Sequence, residues 1–358
     1  MSMPHRSALA AAVLIALSGA GAARAQVGVT DGPKGVVVNP RNGKAYAAFP
    51  DLGVVKILDR DGRGVKTLAT GANVKSLTLN PKTGQVYAMN RGSGTISVID
   101  PMSDVVTATL PAERGSLTAL NPATGRLYVS ASTGTDPSVI DLSTGQSTVI
   151  HAGTEGNALS VNVRANKIYF VGYEDDFLTI VDGATNQSTR LKVPGAHQWE
   201  SAFSERTGML YVPSPNDNDV IVIDTALDTV STIGTGQVPM AVAVNEATNR
   251  VYVVNYGSSD VTVIDGAIHR AVATIPVGLW PQQIAINAHT NTVYVVNTHA
   301  DSVSVIDGRT NRVKATVPTG RGPWALAVAP AANRVYVANR LGDQVTVIDG
   351  RTNRATER

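Results

Sequence analysis

The chain has 358 residues with no cysteine, 30 basic residues and 28 acidic residues. Without Arg6 and Arg24, which lie in the N-terminal segment treated next, the 30 basic residues become 28 and equal the 28 acidic ones. This neutrality argues against a dedicated binder of nucleic acid or anionic membranes, and the lack of cysteine excludes disulfides, a cysteine nucleophile and covalent haem attachment.

The first 25 residues have the pattern of a secretory signal peptide. His5 and Arg6 precede an apolar run over residues 8–22, and Ala23-Arg24-Ala25 supplies an A-x-A cleavage site. The alternative is a membrane anchor, but the run is short for a span and contains glycine and serine. We therefore predict signal peptide 1–25, no membrane anchor, and a mature periplasmic or secreted protein comprising residues 26–358.

From residue 26 onward the chain consists of eight repeats of 41 or 42 residues. In each repeat a tyrosine is followed thirteen residues later by an aspartate: Tyr46/Asp59, Tyr87/Asp100, Tyr128/Asp141, Tyr169/Asp182, Tyr211/Asp224, Tyr252/Asp265, Tyr294/Asp307 and Tyr336/Asp349. Each repeat holds four short alternating runs rich in β-branched residues, which predicts four antiparallel strands. This period with four strands is typical of a β-propeller blade.

Four recurring positions in the repeat are predicted to be structural. Only glycine or asparagine stands three residues before the tyrosine, as in Gly43 and Asn249, because a tight turn there requires positive φ. The aspartate should accept backbone hydrogen bonds from the following turn, and the tyrosine should pack with its hydroxyl satisfied at an edge. The residue nine before the tyrosine is mostly small, which places the first strand at the channel wall, where the blades converge.

The fold prediction is therefore an all-β chain forming a single β-propeller of eight four-stranded antiparallel blades, with seven blades as the alternative. The last repeat ends nine residues after Asp349 in a polar segment. Val27–Val29 aligns with the fourth strand of a complete repeat. We accordingly predict that Val27–Val29 pairs with Val345–Ile348 and closes the ring without a disulfide.

The second strands carry a further sequence signature. Tyr252-Val-Val-Asn255, Tyr294-Val-Val-Asn297 and Tyr336-Val-Ala-Asn339 are each followed by a Val-Ile-Asp strand. These runs resemble the YVTN-repeat β-propeller family, the YncE-like exported proteins, over all eight repeats. Repeats one and three to five depart from the motif. The resemblance implies an exported propeller, while the motif residues are framework and do not specify a ligand.

One face of the predicted ring is favoured for function. The turns after the first and third strands are uniform in sequence, whereas the loops after the second and fourth strands vary, and variable loops on a rigid scaffold commonly carry sites. All three tryptophans fall in the loops that precede the first strands. The predicted ligand-binding residues are Trp199, Trp280, Trp324, His197, Glu200, Gln282, Arg321, Tyr256 and His299. The alternative is that the tryptophans only wedge blades together.

Signatures of catalysis and metal binding are weak. The chain lacks G-x-S-x-G, H-E-x-x-H and P-loop motifs. The acidic runs Glu174-Asp-Asp176 and Asp217-Asn-Asp219 match no spaced calcium motif. We therefore predict no cofactor, no metal site and no assigned catalytic residue.

The sequence favours a monomeric binding or scaffold protein that engages a small molecule, glycan or peptide, with a protein partner as a further option. One alternative is an enzyme, either a lyase or hydrolase using His197 and Glu200 or a redox subunit with a partner's cofactor. The other is nucleic-acid binding by Trp and Arg stacking.

Overall fold

A computed structural model of the chain describes residues 32, 34–130, 136–152, 156–172, 176–195, 200–342 and 344–357. Within these residues, 32 strands form eight four-stranded antiparallel sheets, each built from one repeat. The first strand of every sheet contacts the first strands of both neighbouring sheets, including sheet 1 with sheet 8. The sheets are therefore the blades of a ring. The prediction of an eight-bladed β-propeller is confirmed, and the seven-blade alternative is excluded.

The strands are numbered in chain order, four to a blade. The first strands, which surround the axis, are β1 Gly35–Val38, β5 Val74–Leu79, β9 Thr118–Asn121, β13 Gly156–Asn162, β17 Ala202–Phe203, β21 Pro239–Asn245, β25 Pro281–Asn287 and β29 Pro323–Ala329. The second strands are β2 Ala45–Phe49, β6 Val86–Asn90, β10 Arg126–Val129, β14 Lys167–Gly172, β18 Met209–Ser214, β22 Arg250–Asn255, β26 Thr292–Asn297 and β30 Arg334–Asn339. The third strands are β3 Val54–Leu58, β7 Thr95–Asp100, β11 Ser138–Asp141, β15 Phe177–Asp182, β19 Asp219–Asp224, β23 Asp260–Asp265, β27 Ser302–Asp307 and β31 Val345–Asp349. The outer strands are β4 Gly64–Ala69, β8 Val105–Pro111, β12 Ser147–Val149, β16 Ser188–Lys192, β20 Thr229–Gly234, β24 Arg270–Pro276, β28 Arg312–Pro318 and β32 Arg354–Glu357.

The repeated tyrosine forms the centre of each blade interface. All eight tyrosines are buried, and each pairs across to the residue nine positions earlier, as Tyr252 does with Ala243. The small partner on the first strand leaves room where the blades converge. Hydrophobic clusters join neighbouring blades; one contains Tyr211 of blade 5 with Val242 and Val251 of blade 6. Burial of these apolar groups between blades, rather than within one blade, holds the ring together.

The turns after the first and third strands form one face of the ring, here called the turn face. The residue three before each tyrosine has positive φ in every blade, from 48° at Asn291 to 80° at Gly84. Each repeated aspartate caps the turn after the third strand; Asp307 accepts from the backbone N–H of Arg309 at 2.8 Å and of Thr310 at 3.2 Å. These bonds lower the pKa of the Asp307 carboxyl. The predictions of positive φ three residues before the tyrosine and of a turn-capping aspartate are confirmed.

The loops after the second and fourth strands form the opposite face, here called the loop face. The asparagine that ends the second strand anchors it: Asn339 Nδ2 donates to Thr346 Oγ1 at 2.9 Å, and Thr346 Oγ1 accepts from the backbone N–H of Gly320 at 3.0 Å. A Cβ at Gly320 would lie 2.6 Å from Asn339 Nδ2, so only glycine allows this approach. The motif asparagine is therefore framework that fixes the loop leading into the first strand of its own blade.

Ring closure differs from the sequence-based expectation. The strand beside β31 is β32 at the C-terminal end of the chain, with Val347 opposite Thr356 and Ile348 opposite Ala355. The expected pairing of Val27–Val29 with Val345–Ile348 is therefore wrong, although residues 27–29 themselves lie outside the described residues. Outer strands are largely exposed in the other blades as well. A polar segment can serve as an outer strand because the position demands backbone hydrogen bonds and little apolar burial.

Blades 8 and 1 join by side-chain packing and polar contacts between complete sheets. Val36 and Phe49 of blade 1 share a buried cluster with Tyr336 and Val347 of blade 8. Arg334 reaches Asp61 at 2.6 Å and also contacts the Arg60 carbonyl, and the Tyr336 hydroxyl donates to the same carbonyl at 3.0 Å. In the described residues, ring closure involves no exchange of strands between blades.

Candidate functional site at the channel mouth

A cavity of about 550 Å³ opens where the central channel meets the loop face. Six consecutive blades, 3 to 8, contribute to it through the beginnings of their first strands. The lining residues are Leu117, Thr118, Ala158, Leu159, Glu200, Ser201, Met240, Gln282, Gln283 and Trp324. This volume is within the range of sites for small organic ligands.

β-Bulges direct several of these side chains to the cavity. The pairing of the first and second strands skips one residue in blades 2, 4, 6, 7 and 8, and the extra residue is Lys75, Asn157, Met240, Gln282 or Trp324. A bulge bends the strand and re-aims the side chain of the extra residue. Met240, Gln282 and Trp324 all line the cavity. The bulges therefore place one variable side chain from each of blades 6, 7 and 8 at the mouth.

Glu200 supplies the charged group of the cavity lining. It is partly buried, and Gln283 Nε2 donates to its Oε1 at 3.3 Å. Gln283 is itself held in place, because its Oε1 accepts from the backbone N–H of Ile284 at 2.8 Å. Burial raises the pKa of the Glu200 carboxyl to about 7, and the Gln283 hydrogen bond partly offsets that rise. The Glu200 side chain thus changes charge near neutral pH.

The rest of the cavity is largely apolar with a few hydroxyl and amide groups. Leu117, Leu159, Met240 and the Trp324 ring form apolar walls. The Arg340 guanidinium lies 4.9 Å from the centre of the Trp324 ring and orients it. An apolar cavity with a small number of placed polar groups is the usual composition of a small-molecule site.

Trp280 lies in a separate aromatic stack on the loop face. Its ring centre is 5.3 Å from that of Tyr256 and 4.0 Å from that of His299, so it joins the loops of blades 6 and 7. Trp280 is 42% exposed but does not line the cavity. This arrangement is the one expected for a tryptophan that wedges two blades together.

The structure therefore divides the residues that the sequence favoured. Glu200, Gln282 and Trp324 are brought together at the cavity, whereas Trp280, Tyr256 and His299 form the stack. Arg321 is exposed on the loop of blade 8 and is not part of the lining. His197 and Trp199 lie outside the described residues.

Sequence analysis missed Gln283, Ser201 and the apolar lining of blades 3 and 4. A usable signal for Gln283 was present. It stands eleven residues before its tyrosine, as Glu200 does, and these are the two long polar side chains at a position otherwise occupied by Gly35, Ser76, Leu117, Ala158, Ala241 and Ala325.

The described part of the chain contains no group of three or more His, Asp or Glu side chains placed to hold a metal ion. It also contains no helix of the length and apolarity needed to cross a membrane.

Comparisons with known proteins agree with the fold. Residues 202–356, blades 5 to 8, match the family model "Lactonase, 7-bladed beta-propeller". Kuenenia stuttgartiensis hydrazine synthase is 16% identical with a TM-score of 0.62, over 89% of this chain and 96% of that chain. The dihydro-heme d1 dehydrogenase NirN in complex with DHE is 14% identical with a TM-score of 0.72, over 89% and 73% of the two chains. No curated protein matches by sequence. The shared feature is the β-propeller fold.

Proposed function

We propose that this propeller binds a small organic ligand in the cavity at the channel mouth. The observation that carries the proposal is the convergence of six blades on one cavity that combines apolar walls with the Glu200–Gln283 pair. Three of the five β-bulges in the first strands contribute their extra residue, Met240, Gln282 or Trp324, to the cavity lining, and bulges are over-represented next to active sites.

The proposed site centres on Trp324, Glu200, Gln282 and Gln283. Trp199 is a further proposed contact, because it stands twelve residues before its tyrosine, the same position that Trp324 holds in blade 8. His197 lies two residues away in sequence. For Trp280 the packing role is favoured, since two neighbouring rings already contact it. Glycans and peptides remain ligand classes to test beside small molecules.

The test is a ligand screen read by intrinsic fluorescence, with small molecules, glycans, peptides and oligonucleotides as separate sets. A ligand of the cavity should shift the tryptophan emission and lose about 1 to 3 kcal/mol of binding free energy in Trp324→Ala. Trp280→Ala is the matched control, because it removes a loop-face tryptophan outside the cavity. A ligand that binds Trp324→Ala and Glu200→Ala as tightly as the wild type would disprove this location.

Hydrolysis is a second candidate function, favoured by two observations. The match to a lactonase family model covers residues 202–356, which include the lining residues Met240, Gln282, Gln283 and Trp324, and Glu200 lies two residues before the match. Glu200 also has a pKa of about 7, which suits a general base. In a lactone opening, Glu200 would take a proton from water, the water oxygen would bond to the carbonyl carbon, and the ring C–O bond would break with protonation of the leaving oxygen.

A panel of lactones and esters tests this candidate. Glu200→Gln should abolish turnover while retaining ligand binding. Glu113→Gln, which removes an equal charge from an exposed loop, should preserve both turnover and binding. Turnover that survives Glu200→Gln would exclude this mechanism. The redox alternative rests on structural neighbours that share the fold, and nucleic-acid binding is tested by the oligonucleotide set.

We further propose that the protein is exported and related to the YVTN-repeat, YncE-like proteins. Support comes from the signal-like residues 1–25 and from the buried motif asparagines that the repeats share. Mass spectrometry of the mature protein should find Gln26 as its first residue. An intact Met1 on protein isolated from its native compartment would contradict export by cleavage after Ala25.

A further inference from the structure

We infer that the cavity selects an organic cation, an ammonium group on an apolar or aromatic body, with Glu200 as its counterion. This inference rests on the proposed ligand-binding function and specifies the chemical class of the ligand. It derives from the distribution of charge and hydrogen-bond partners around the cavity.

Among the described residues that line the cavity, one side chain is ionisable, and that side chain is an acid. Among the residues that line it, Glu200 is joined by apolar groups, hydroxyls and the amides of Gln282 and Gln283. A neutral lining with a single carboxylate has a negative potential that the surrounding apolar walls strengthen. An anionic ligand would be repelled by the Glu200 carboxylate, and no Lys, Arg or His among the described lining residues offsets that repulsion.

The Glu200 carboxylate has unused capacity to accept hydrogen bonds. Two carboxylate oxygens offer about four acceptor sites. In the described residues, the Gln283 amide donates one bond, and no Lys, Arg or His forms an ion pair with Glu200. A carboxylate withdrawn from water without a counterion is costly, so a bound cation would stabilise its ionised form.

The apolar walls fit the remainder of such a ligand. Leu159, Met240 and the Trp324 ring are all lining residues, and thioether and aromatic groups accommodate varied apolar shapes. The Trp324 ring already lies next to one cation, the Arg340 guanidinium, whose centre is 4.9 Å from the ring. Arg340 itself is not part of the lining. The basic bulge residue Lys75 lies on blade 2, outside the six blades that form the cavity.

The test compares three probes with the same aromatic body: benzyltrimethylammonium, benzyl alcohol and benzoate. Calorimetric titration of the full chain at pH 8 should give at least about tenfold tighter binding of the cation than of the alcohol, and weakest binding of benzoate. Because ionised Glu200 is the counterion, cation affinity should fall as pH decreases below about 7. Alcohol affinity should change little over the same range.

Two variants separate the cation inference from structural damage. Glu200→Gln should remove the preference for the cation and keep alcohol binding, while Glu113→Gln should preserve the preference. Equal or tighter binding of benzoate or benzyl alcohol by the wild type would overturn the cation inference and leave the proposed binding function standing. If none of the three probes binds, the inference is also overturned, and the broader ligand screen decides the proposed function separately.

Discussion

Glu200 and Gln283 meet at 3.3 Å, Oε1 to Nε2, although they belong to blades 5 and 7 and are 83 residues apart. Each stands eleven residues before the tyrosine of its own repeat, and blade 6 between them carries the small Ala241 at that position. The repeat therefore places equivalent positions around one opening. Variation at those positions, on an otherwise repeated framework, produces a lopsided site.

The first prediction concerns the Gln283 hydrogen bond. Gln283→Leu removes the donor that favours the ionised carboxylate, so the pKa of Glu200 should rise above about 7. The measurement is a carbon-13 NMR titration, with the Glu200 signal assigned by its loss in Glu200→Gln. Gln282→Leu is the control, because Gln282 lines the cavity but contacts Thr298 instead. A Glu200 pKa that is unchanged or lower in Gln283→Leu would contradict the assignment.

The second prediction concerns stability and pH. The folded-state pKa of Glu200 is raised from its usual 4.5 to about 7, so between these values the folded protein retains a proton that the unfolded chain has lost. Stability is then lost as pH rises through this window, by at most about 3.5 kcal/mol, because the two pKa values differ by about 2.5 units of about 1.4 kcal/mol each. Glu200→Gln does not titrate and should be more stable than wild type at pH 8.

Denaturant unfolding at pH 4, 6 and 8 checks the direction of this change in stability with pH. The stability difference between Glu200→Gln and wild type should grow from pH 4 to pH 8 in favour of the variant. Glu113→Gln should show no such trend, since Glu113 is exposed. A difference that is constant with pH would show that Glu200 has an ordinary pKa in the folded state.

The third prediction compares two tyrosine hydroxyls. Tyr336 donates to the Arg60 carbonyl across the junction of blades 8 and 1, whereas the buried Tyr252 hydroxyl has no hydrogen-bond partner among the described residues. Tyr336→Phe should therefore lower the free energy of unfolding by about 1 kcal/mol. Tyr252→Phe should leave the free energy of unfolding unchanged or raise it, because it removes a buried hydroxyl that makes no hydrogen bond. Equal losses in the two variants would argue against a specific role for Tyr336 in ring closure.

Much of the framework could be predicted because a residue that recurs at the same position in all eight repeats indicates a shared structural role. The turn glycines and asparagines, the aspartate caps and the buried tyrosines each recur eight times, and each has one physical explanation. The tyrosine hydroxyls were a partial exception: they were expected to be satisfied at an edge, but within the described residues the buried hydroxyls of Tyr252 and Tyr294 have no hydrogen-bond partner.

The site was predicted only in part, since it depends on differences between repeats. Sequence spacing grouped three tryptophans on one face but could not show that a bulge aims Trp324 at the axis while Trp280 lies between Tyr256 and His299. The closing strand was missed because apolar content was used to identify it. An exposed outer strand such as Arg354–Glu357 carries little of that signal.

The fourth prediction concerns backbone strain before the first strands. Val238, Trp280, Gly322 and Asn73 hold the matching loop position in four blades, and all have positive φ, 53° at Val238. A β-branched residue is disfavoured there, whereas asparagine and glycine tolerate it. Val238→Asn should raise the free energy of unfolding by about 1 kcal/mol, measured by thermal unfolding as a gain of about 2 °C. A lower melting temperature would mean that the Val238 side chain contributes packing that outweighs its strain.

The last prediction concerns the strand that completes blade 8. Deleting residues 354–358 removes β32 and exposes the edge of β31, so we expect a melting temperature lower by several degrees and a tendency to associate through the open edge. Thermal unfolding and gel filtration measure the two effects. A chain lacking residues 26–31 provides the comparison, because the sequence-based closure would make that deletion the damaging one. If the C-terminal deletion is harmless and the N-terminal deletion destabilises, the sheet is completed by the N-terminal segment. Because Val347 pairs with Thr356, we expect the opposite result: the chain without residues 354–358 should be the less stable one, and the chain without residues 26–31 should keep its outer strand in blade 8.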